Sequence, residues 1–361
     1  MTEVGLPVTA LDTPALWIDL SRMERNIAAL VAEFAQGGVN WRPHTKGIKT
    51  PALAHVLLRA GAIGITCAKL GEAEVMAAAG VGDILIANQI VTDAKITRLA
   101  HLQRQADVKA VADDAGVVAK TGAIATQCGV EIGLLIEVDT GMARAGVVPG
   151  PAVVQLAQTI ADTPGVRFMG LMTWEGHNLS FSDPAEKRKG IEQSIAQLGE
   201  MVDLVNAAGL ETPIVSAGGS GTYQITSHLP KVTEIEAGGA IFCDQTYQSW
   251  GVELEPALFI RATATSRPTP TRLICDAGFK TAPRGFAEPL PVGFEVEKVV
   301  LSAEHGIVHL AGPSATPAIG ESFDMIVGYG DATVCLHDTI YGVRDGVVEA
   351  VWEVAGRGKL R

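Results

Sequence analysis

Between residues 40 and 242 strand-like runs alternate with helical patterns, and this alternation constrains the fold more than any other feature of the chain. The runs are the segment ending at Arg42-Pro43, then 63–68, 83–89, 108–113, 132–138, 166–173, 213–217 and 233–242, with helical patterns such as 72–79, 94–104, 151–161 and 185–208 between them. Runs such as Gly133-Leu134-Leu135-Ile136-Glu137-Val138 are apolar on both faces, as strands of a parallel sheet covered by helices must be. Eight such units fill a (β/α)8 barrel, which leaves no exposed sheet edge; an open doubly wound sheet is the alternative. Ahead of them, Ala15-Leu16-Trp17-Ile18-Asp19-Leu20 reads as a strand, and Ser21 with Glu24 forms a capping box that opens a helix. Beyond about residue 245 the pattern changes to short β runs broken by Pro, Gly and Asp, with no convincing helix. The expected division is a barrel over 13–248 and a mainly antiparallel β domain over 249–361, joined by 1–12.

Composition narrows the partners. A net charge of −12 lacks the clustered Lys and Arg that hold a phosphate backbone, so a nucleic-acid partner is not expected. The five cysteines are scattered without a CxxC spacing, which points to a reducing, cytoplasmic setting. No run approaches the ~18 apolar residues of a membrane span, and the first residues lack a signal-peptide pattern.

In a barrel, chemistry collects at the C-terminal ends of the strands. The first run ends in Arg42-Pro43-His44-Thr45-Lys46, which delivers a lysine beside a histidine. A lone lysine is most often a solvated surface group, and a lysine is a nucleophile only when neutral. The neighbouring cations Arg42 and Lys49 would favour loss of its proton, opening the way to a Schiff base with an aldehyde cofactor. After the fifth run, Glu137-Val138-Asp139-Thr140-Gly141 with Arg144 suits an anionic or polar group; an Asp139–Arg144 ion pair that only braces the loop fits equally. After the seventh, Ser216-Ala217-Gly218-Gly219-Ser220-Gly221-Thr222 offers backbone N–H groups and hydroxyls to a phosphate, in the part of a barrel where phosphate sites concentrate. An amine at one strand end and a phosphate turn at another describe pyridoxal 5′-phosphate.

These motifs, with Thr13-Pro14-Ala15-Leu16, Asp276-Ala277-Gly278-Phe279-Lys280, Glu304-His305-Gly306 and Val343-Arg344-Asp345-Gly346-Val347, resemble one family along almost the whole chain. It is that of the fold-type III pyridoxal-phosphate enzymes with an alanine-racemase-like barrel, within them the D-threonine aldolase, D-serine dehydratase and 3-hydroxy-D-aspartate aldolase group. The resemblance implies that Lys46 forms the Schiff base and that His44 is a cofactor contact. It further implies that Arg144 reaches the cofactor's phenolic oxygen, and that Gly218, Gly219, Ser220, Gly221 and Thr222 hold its phosphate. A homodimer with shared active sites is implied as well. The sequence departs from the group at its metal motif, Pro/Ser-x-His-x-Cys/Asp-Pro-Thr, which here reads Val327-Gly328-Tyr329-Gly330-Asp331-Ala332-Thr333. Asp331 alone keeps its place, a poor donor set for a divalent metal unless His177 or His305 joins it. Tyr329 then becomes a candidate acid or base, and Glu175, in Trp174-Glu175-Gly176-His177, a candidate partner of the pyridine nitrogen. The expected activity is retro-aldol cleavage of a small D-3-hydroxy amino acid. A metal-independent racemase or epimerase comes next, and a dehydratase third. A cofactor carrier without turnover would need only the barrel, whereas about 110 residues follow residue 250.

Overall fold

The protein is described by a computed structural model covering residues 3–361. It separates into two compact units, and neither is a continuous stretch of chain.

One unit comprises Leu30–Lys46, Leu53–Gly238 and Lys359–Arg361. With β1 (Ala15–Asp19) set aside, its strands are β2 (Asn40–Trp41), β3 (Ile65–Cys67), β4 (Asp83–Gln89), β5 (Asp107–Ala112), β6 (Ile132–Glu137), β7 (Val166–Met172), β8 (Ile214–Ala217) and β9 (Glu234–Ile235). From β3 to β9 each pairs in parallel with the next, and β9 pairs with β2 through Asn40↔Glu234. A parallel bridge between His44 and Thr66 joins the end of β2 to β3 and closes the ring, so the barrel is the fold and the open sheet is not. All six positions of β6 are buried, the two-sided burial that its apolar run anticipates. Leu85, Val111, Leu135 and Met172, one from each of four successive strands, form a shared core cluster. Outside, helix Pro151–Asp162 begins with proline, where the missing N–H costs nothing, and buries Val153, Leu156, Ala157 and Ile160 at helical spacing. β9 is two residues long where a ten-residue run was expected, because the chain leaves the sheet after Ile235 and enters a 3-10 turn at Gly239–Ile241.

The other unit takes in the described residues up to Ala29, Gly47–Ala52 and Gly239–Gly358, built on a largely antiparallel nine-stranded sheet. β1, which the sequence division left with the barrel, lies in this sheet. It pairs antiparallel with Leu258–Thr269 and parallel with Thr339–Arg344. Trp17 fixes it there, stacking on Phe259 at 4.6 Å and donating its indole N–H to Asp324 at 2.9 Å. Two short helices, Gln245–Ser249 and Gly330–Thr333, interrupt what reads as pure β. The Asp244 carboxylate links them, accepting the amides of Tyr247 at 3.0 Å and Gly330 at 2.6 Å. Among the described residues no helix is long and apolar enough to cross a membrane.

Candidate active site

Lys46 sits in a single 3-10 turn, Thr45–Gly47, directly after β2. The turn is pinned from several sides. The His44 amide donates to the Glu236 carbonyl at 3.0 Å, and the Thr66 amide donates to the Pro43 carbonyl at 2.9 Å. The Thr45 hydroxyl lies 2.8 Å from the buried Glu72 carboxylate, which also accepts the Ala68 amide at 3.0 Å. His44 folds back so that its Nδ1 accepts the Lys46 amide at 3.3 Å. A Cβ on Gly238 would fall 2.0 Å from the His44 carbonyl oxygen, so the turn is seated against a glycine that must stay bare. Gly238→Ala is therefore expected to cost about 1–3 kcal/mol and to displace the lysine turn. Denaturant unfolding, with the rate of Lys46 modification by an aldehyde, checks both effects.

Arg42, two residues before His44, is committed to two carboxylates. Arg42 is buried, with its Nε 3.0 Å from both Glu234 oxygens and its Nη1 on Asp83. Burial works against its charge, but the two carboxylates outweigh that and hold the guanidinium above the ordinary arginine range. Its charge is thus balanced largely by Glu234 and Asp83.

The glycine turn after β8 is built on Glu175. Gly218 has φ +74, a conformation that favours glycine, and its amide donates to Glu175 Oε2 at 3.3 Å. The Thr226 hydroxyl donates to Oε1 at 2.7 Å. Glu175 is fully buried, and these bonds place its carboxylate at the glycine turn. Gly219 presses on the Trp174 indole, where a Cβ would come within 2.5 Å. Closure comes from the Thr222 amide donating to the Gly219 carbonyl at 3.0 Å, which makes Ser220 and Gly221 the central pair of the turn. The Gly219 amide is spent on the Thr222 hydroxyl at 3.0 Å, and that hydroxyl turns its own proton toward the Gly219 carbonyl at 3.5 Å, so these groups of the motif are engaged within the turn itself.

Arg144 is half exposed and pairs with the buried Glu137 at 3.1 Å, not with Asp139. Gln89 donates to the other Glu137 oxygen at 2.6 Å. Asp139 instead accepts the Gly141 and Ala143 amides at 3.1 and 3.0 Å and shapes the loop.

Sequence reasoning missed Glu236. Its carboxyl accepts the Ser216 hydroxyl at 2.9 Å, its carbonyl accepts the His44 amide at 3.0 Å, and its own amide points at the Gly218 carbonyl at 3.3 Å. It therefore ties the lysine turn to the glycine turn. Burial pushes its carboxyl up to about 8, with the Glu234 charge adding, while Ser216, Lys46 and Arg42 pull the other way. The available signal was two glutamates two apart in the run 233–242, which reads as a strand, although only Glu234 lies in β9 itself.

In the second unit, Tyr329 donates its phenol proton to Asp331 Oδ2 at 2.9 Å, and Tyr247 donates to Oδ1 at 3.4 Å. Burial and the Asp331 charge hold the Tyr329 phenol far above its usual range, so it keeps its proton. Asp331 lies against Gly47, the residue following Lys46 in the chain, with Oδ1 2.1 Å from where a Cβ would stand. The rings of Tyr247, Trp250 and Phe286 pack around Tyr329 at centroid distances of 6.2, 6.5 and 5.4 Å. Among the described residues no group of three His, Cys, Asp or Glu side chains is gathered to hold a metal ion. Asp331 is a single carboxylate engaged by two phenols, a poor donor set for a divalent cation.

Comparison with known proteins agrees with this architecture. The model of the alanine racemase N-terminal domain matches residues 18–246, and that of a putative serine dehydratase domain matches 257–343. The chain is 34% identical to a D-threonine aldolase of Arthrobacter sp over 364 residues, 99% of this chain and 96% of that protein. It is 33% identical to a 3-hydroxy-D-aspartate aldolase of Paracoccus denitrificans over 372 residues, 98% and 94% of the two chains. The crystal structure of D-threonine aldolase from Filomicrobium marinum superposes with a TM-score of 0.97 at 31% identity, covering 100% of both chains.

Proposed function

Because the chain belongs to the family defined by the alanine racemase N-terminal domain, we propose that it is a pyridoxal-phosphate-dependent lyase that cleaves a small D-3-hydroxy amino acid into glycine and an aldehyde. The observation that carries this reading is the stitching of Lys46 to the 218–222 turn through Glu236, on a chain similar along its whole length to D-threonine aldolase.

The residues fit that cofactor. A lysine amine stands at one strand end, a turn with bare glycines and buried hydroxyls at another, and Arg144 is held at the end of a third by Glu137. Lys46, His44, Arg144 and the 218–222 turn would hold it. When bound, pyridoxal phosphate supplies an electron sink for the bond broken at Cα. The chain's own residues move the protons. Lys46 carries a proton to or from Cα. Tyr329 stands in the sequence where the group's motif has its metal histidine, and we assign it the β-hydroxyl. Its oxygen accepts the substrate proton as its own passes to Asp331, so no free phenolate forms. Tyr329→Phe is expected to lower kcat by about 10²-fold or more with KM little changed, the usual scale for loss of a positioned acid or base. Steady-state kinetics with D-threonine checks it.

One observation favours a second reading. A phenol that keeps its proton, backed by a carboxylate, can also return a proton to Cα, the step that racemisation requires beside a lysine base. D-threonine, D-serine and D-alanine, each with and without Mn²⁺, separate the two. Aldehyde and glycine support the lyase, and loss of optical rotation without aldehyde supports the racemase. Silence across the panel overturns both. The family likeness also supports a homodimer that shares its active sites, measured as twice the chain mass by light scattering.

A further inference from the structure

We propose that Gln89 is a positioning residue for Arg144: its side-chain amide ties the carboxylate that holds the guanidinium to the carboxylate that holds the loop carrying it. The proposal rests on the reading of Arg144 as a cofactor contact.

Gln89 ends β4, Glu137 ends β6, and Asp113 directly follows β5, so the three side chains stand at one rim of three adjacent strands. The Gln89 Nε2 donates to Glu137 Oε2 at 2.6 Å and to Asp113 Oδ2 at 3.2 Å. An amide nitrogen carries two hydrogens and so serves both acceptors at once. Beyond each carboxylate lies a part of the Arg144 loop. Glu137 Oε1 accepts the Arg144 guanidinium at 3.1 Å, and Asp113 Oδ2 accepts the Gly146 amide at 3.1 Å. The base of the loop is closed by the Val147 amide, which donates to the Glu137 carbonyl at 2.8 Å. A Cβ on Gly146, where φ is +110, would stand 2.9 Å from that same carbonyl oxygen. The side chain of Arg144 and the backbone two residues on therefore both lead back to one amide group.

The sheet is interrupted to bring Gln89 to this place. Ile86 pairs with Ala110 and Gln89 with Val111, so β4 advances three residues where β5 advances one. In an unbroken register Ala87 would face Val111, and a methyl group donates to neither carboxylate. Strand pairing does not need the interruption, because β5 and β6 keep register from Lys109 to Ala112 without one. Irregularities of this kind re-aim a side chain and are over-represented beside active sites. Their use here follows from the exposure of Arg144, which is about half. A long, flexible side chain so placed loses rotamer freedom when a ligand fixes it, and a frame that fixes it beforehand removes that loss from binding.

The test uses the full-length protein. Without cofactor, phenylglyoxal modifies the arginines, and peptide mass spectrometry follows Arg144 against Arg167, a comparably exposed arginine paired with Glu131 at the start of β7. In Gln89→Leu the ratio of Arg144 to Arg167 labelling is expected to rise about tenfold, the scale of one hydrogen bond to a charged group. General loosening of the fold would raise both rates together, so an unmoved ratio overturns the proposal. Gln89→Asn carries the test if the leucine variant does not fold. It keeps the amide but is one methylene too short to reach both carboxylates, so the ratio must rise again, and a constant ratio overturns the proposal. Affinity for pyridoxal phosphate, read from its absorbance on titration, is the second measurement. Gln89→Leu is expected to weaken it about tenfold, yet to add nothing in a protein already carrying Arg144→Gln. A further loss in that double variant means that Gln89 acts by another route, and overturns the proposal. Arg144→Gln alone judges the parent reading: unchanged cofactor affinity overturns that reading, while the labelling ratio still judges the hold of Gln89 on Arg144.

Discussion

Lys46→Ala is expected to lower turnover by about 10³-fold or more while shifting unfolding free energy by no more than about 1 kcal/mol. Two contributions would be lost together on the proposed reading, the amine that would hold the cofactor and the group that would move a proton at Cα, and effects of groups acting as a unit are not additive. The backbone should be spared, because the turn is shaped by bonds from the His44 amide and the Thr45 hydroxyl and by its seat against Gly238. Three measurements define the outcome: steady-state kinetics, urea unfolding, and borohydride trapping of the cofactor on the chain, which should vanish. Partial recovery by a small exogenous amine would show that the missing group is the amine itself. Activity within tenfold of the unmodified protein would remove Lys46 from the mechanism.

The largest loss of stability is expected from Glu234→Ala. Arg42 and Glu234 have side chains 3% and 2% exposed, and Arg42 places its Nε between both carboxylate oxygens. Removing the acid leaves a buried guanidinium with only Asp83, and breaking such a pair typically costs about 3–5 kcal/mol. Replacing both partners, as in Arg42→Met with Glu234→Leu, should recover most of the loss, because the penalty comes from the stranded charge rather than from the absence of a salt bridge. Asp83 would still have Lys109, 3.0 Å away, so the double replacement strands no further charge. Urea unfolding of the two variants beside the unmodified protein decides it, and equal losses in the single and double variants would sink the explanation.

How much of this could be read from the residues alone follows from the range of the interactions involved. The eight barrel strands were legible because two-sided burial leaves a local mark, a run with no polar face, as in β6. β1 was legible as a strand but not as a member of the other sheet, because its partners lie more than two hundred residues away and its five residues carry no sign of which sheet they join. The turns at Lys46 and at 218–222 were legible as turns because turn chemistry is local. Their supports were not. That Arg144 would choose Glu137 over Asp139, that Glu175 would hold the amide of Gly218, and that Glu236 would couple the two turns all depend on strand register, which a single sequence does not display.

The path of the chain between its two compact units carries a lesson for anyone cutting the gene. The backbone passes from one unit to the other after residues 29, 46, 52, 238 and 358, and one of those crossings falls immediately after Lys46. A fragment ending at residue 248 would carry β1 into solution stripped of both strands that flank it, Leu258–Thr269 and Thr339–Arg344. Such an orphaned strand, with its unpaired edges, is a template for aggregation. The halves are therefore heritable only as a whole: neither can be trimmed away, swapped or shuffled into another protein by a single cut.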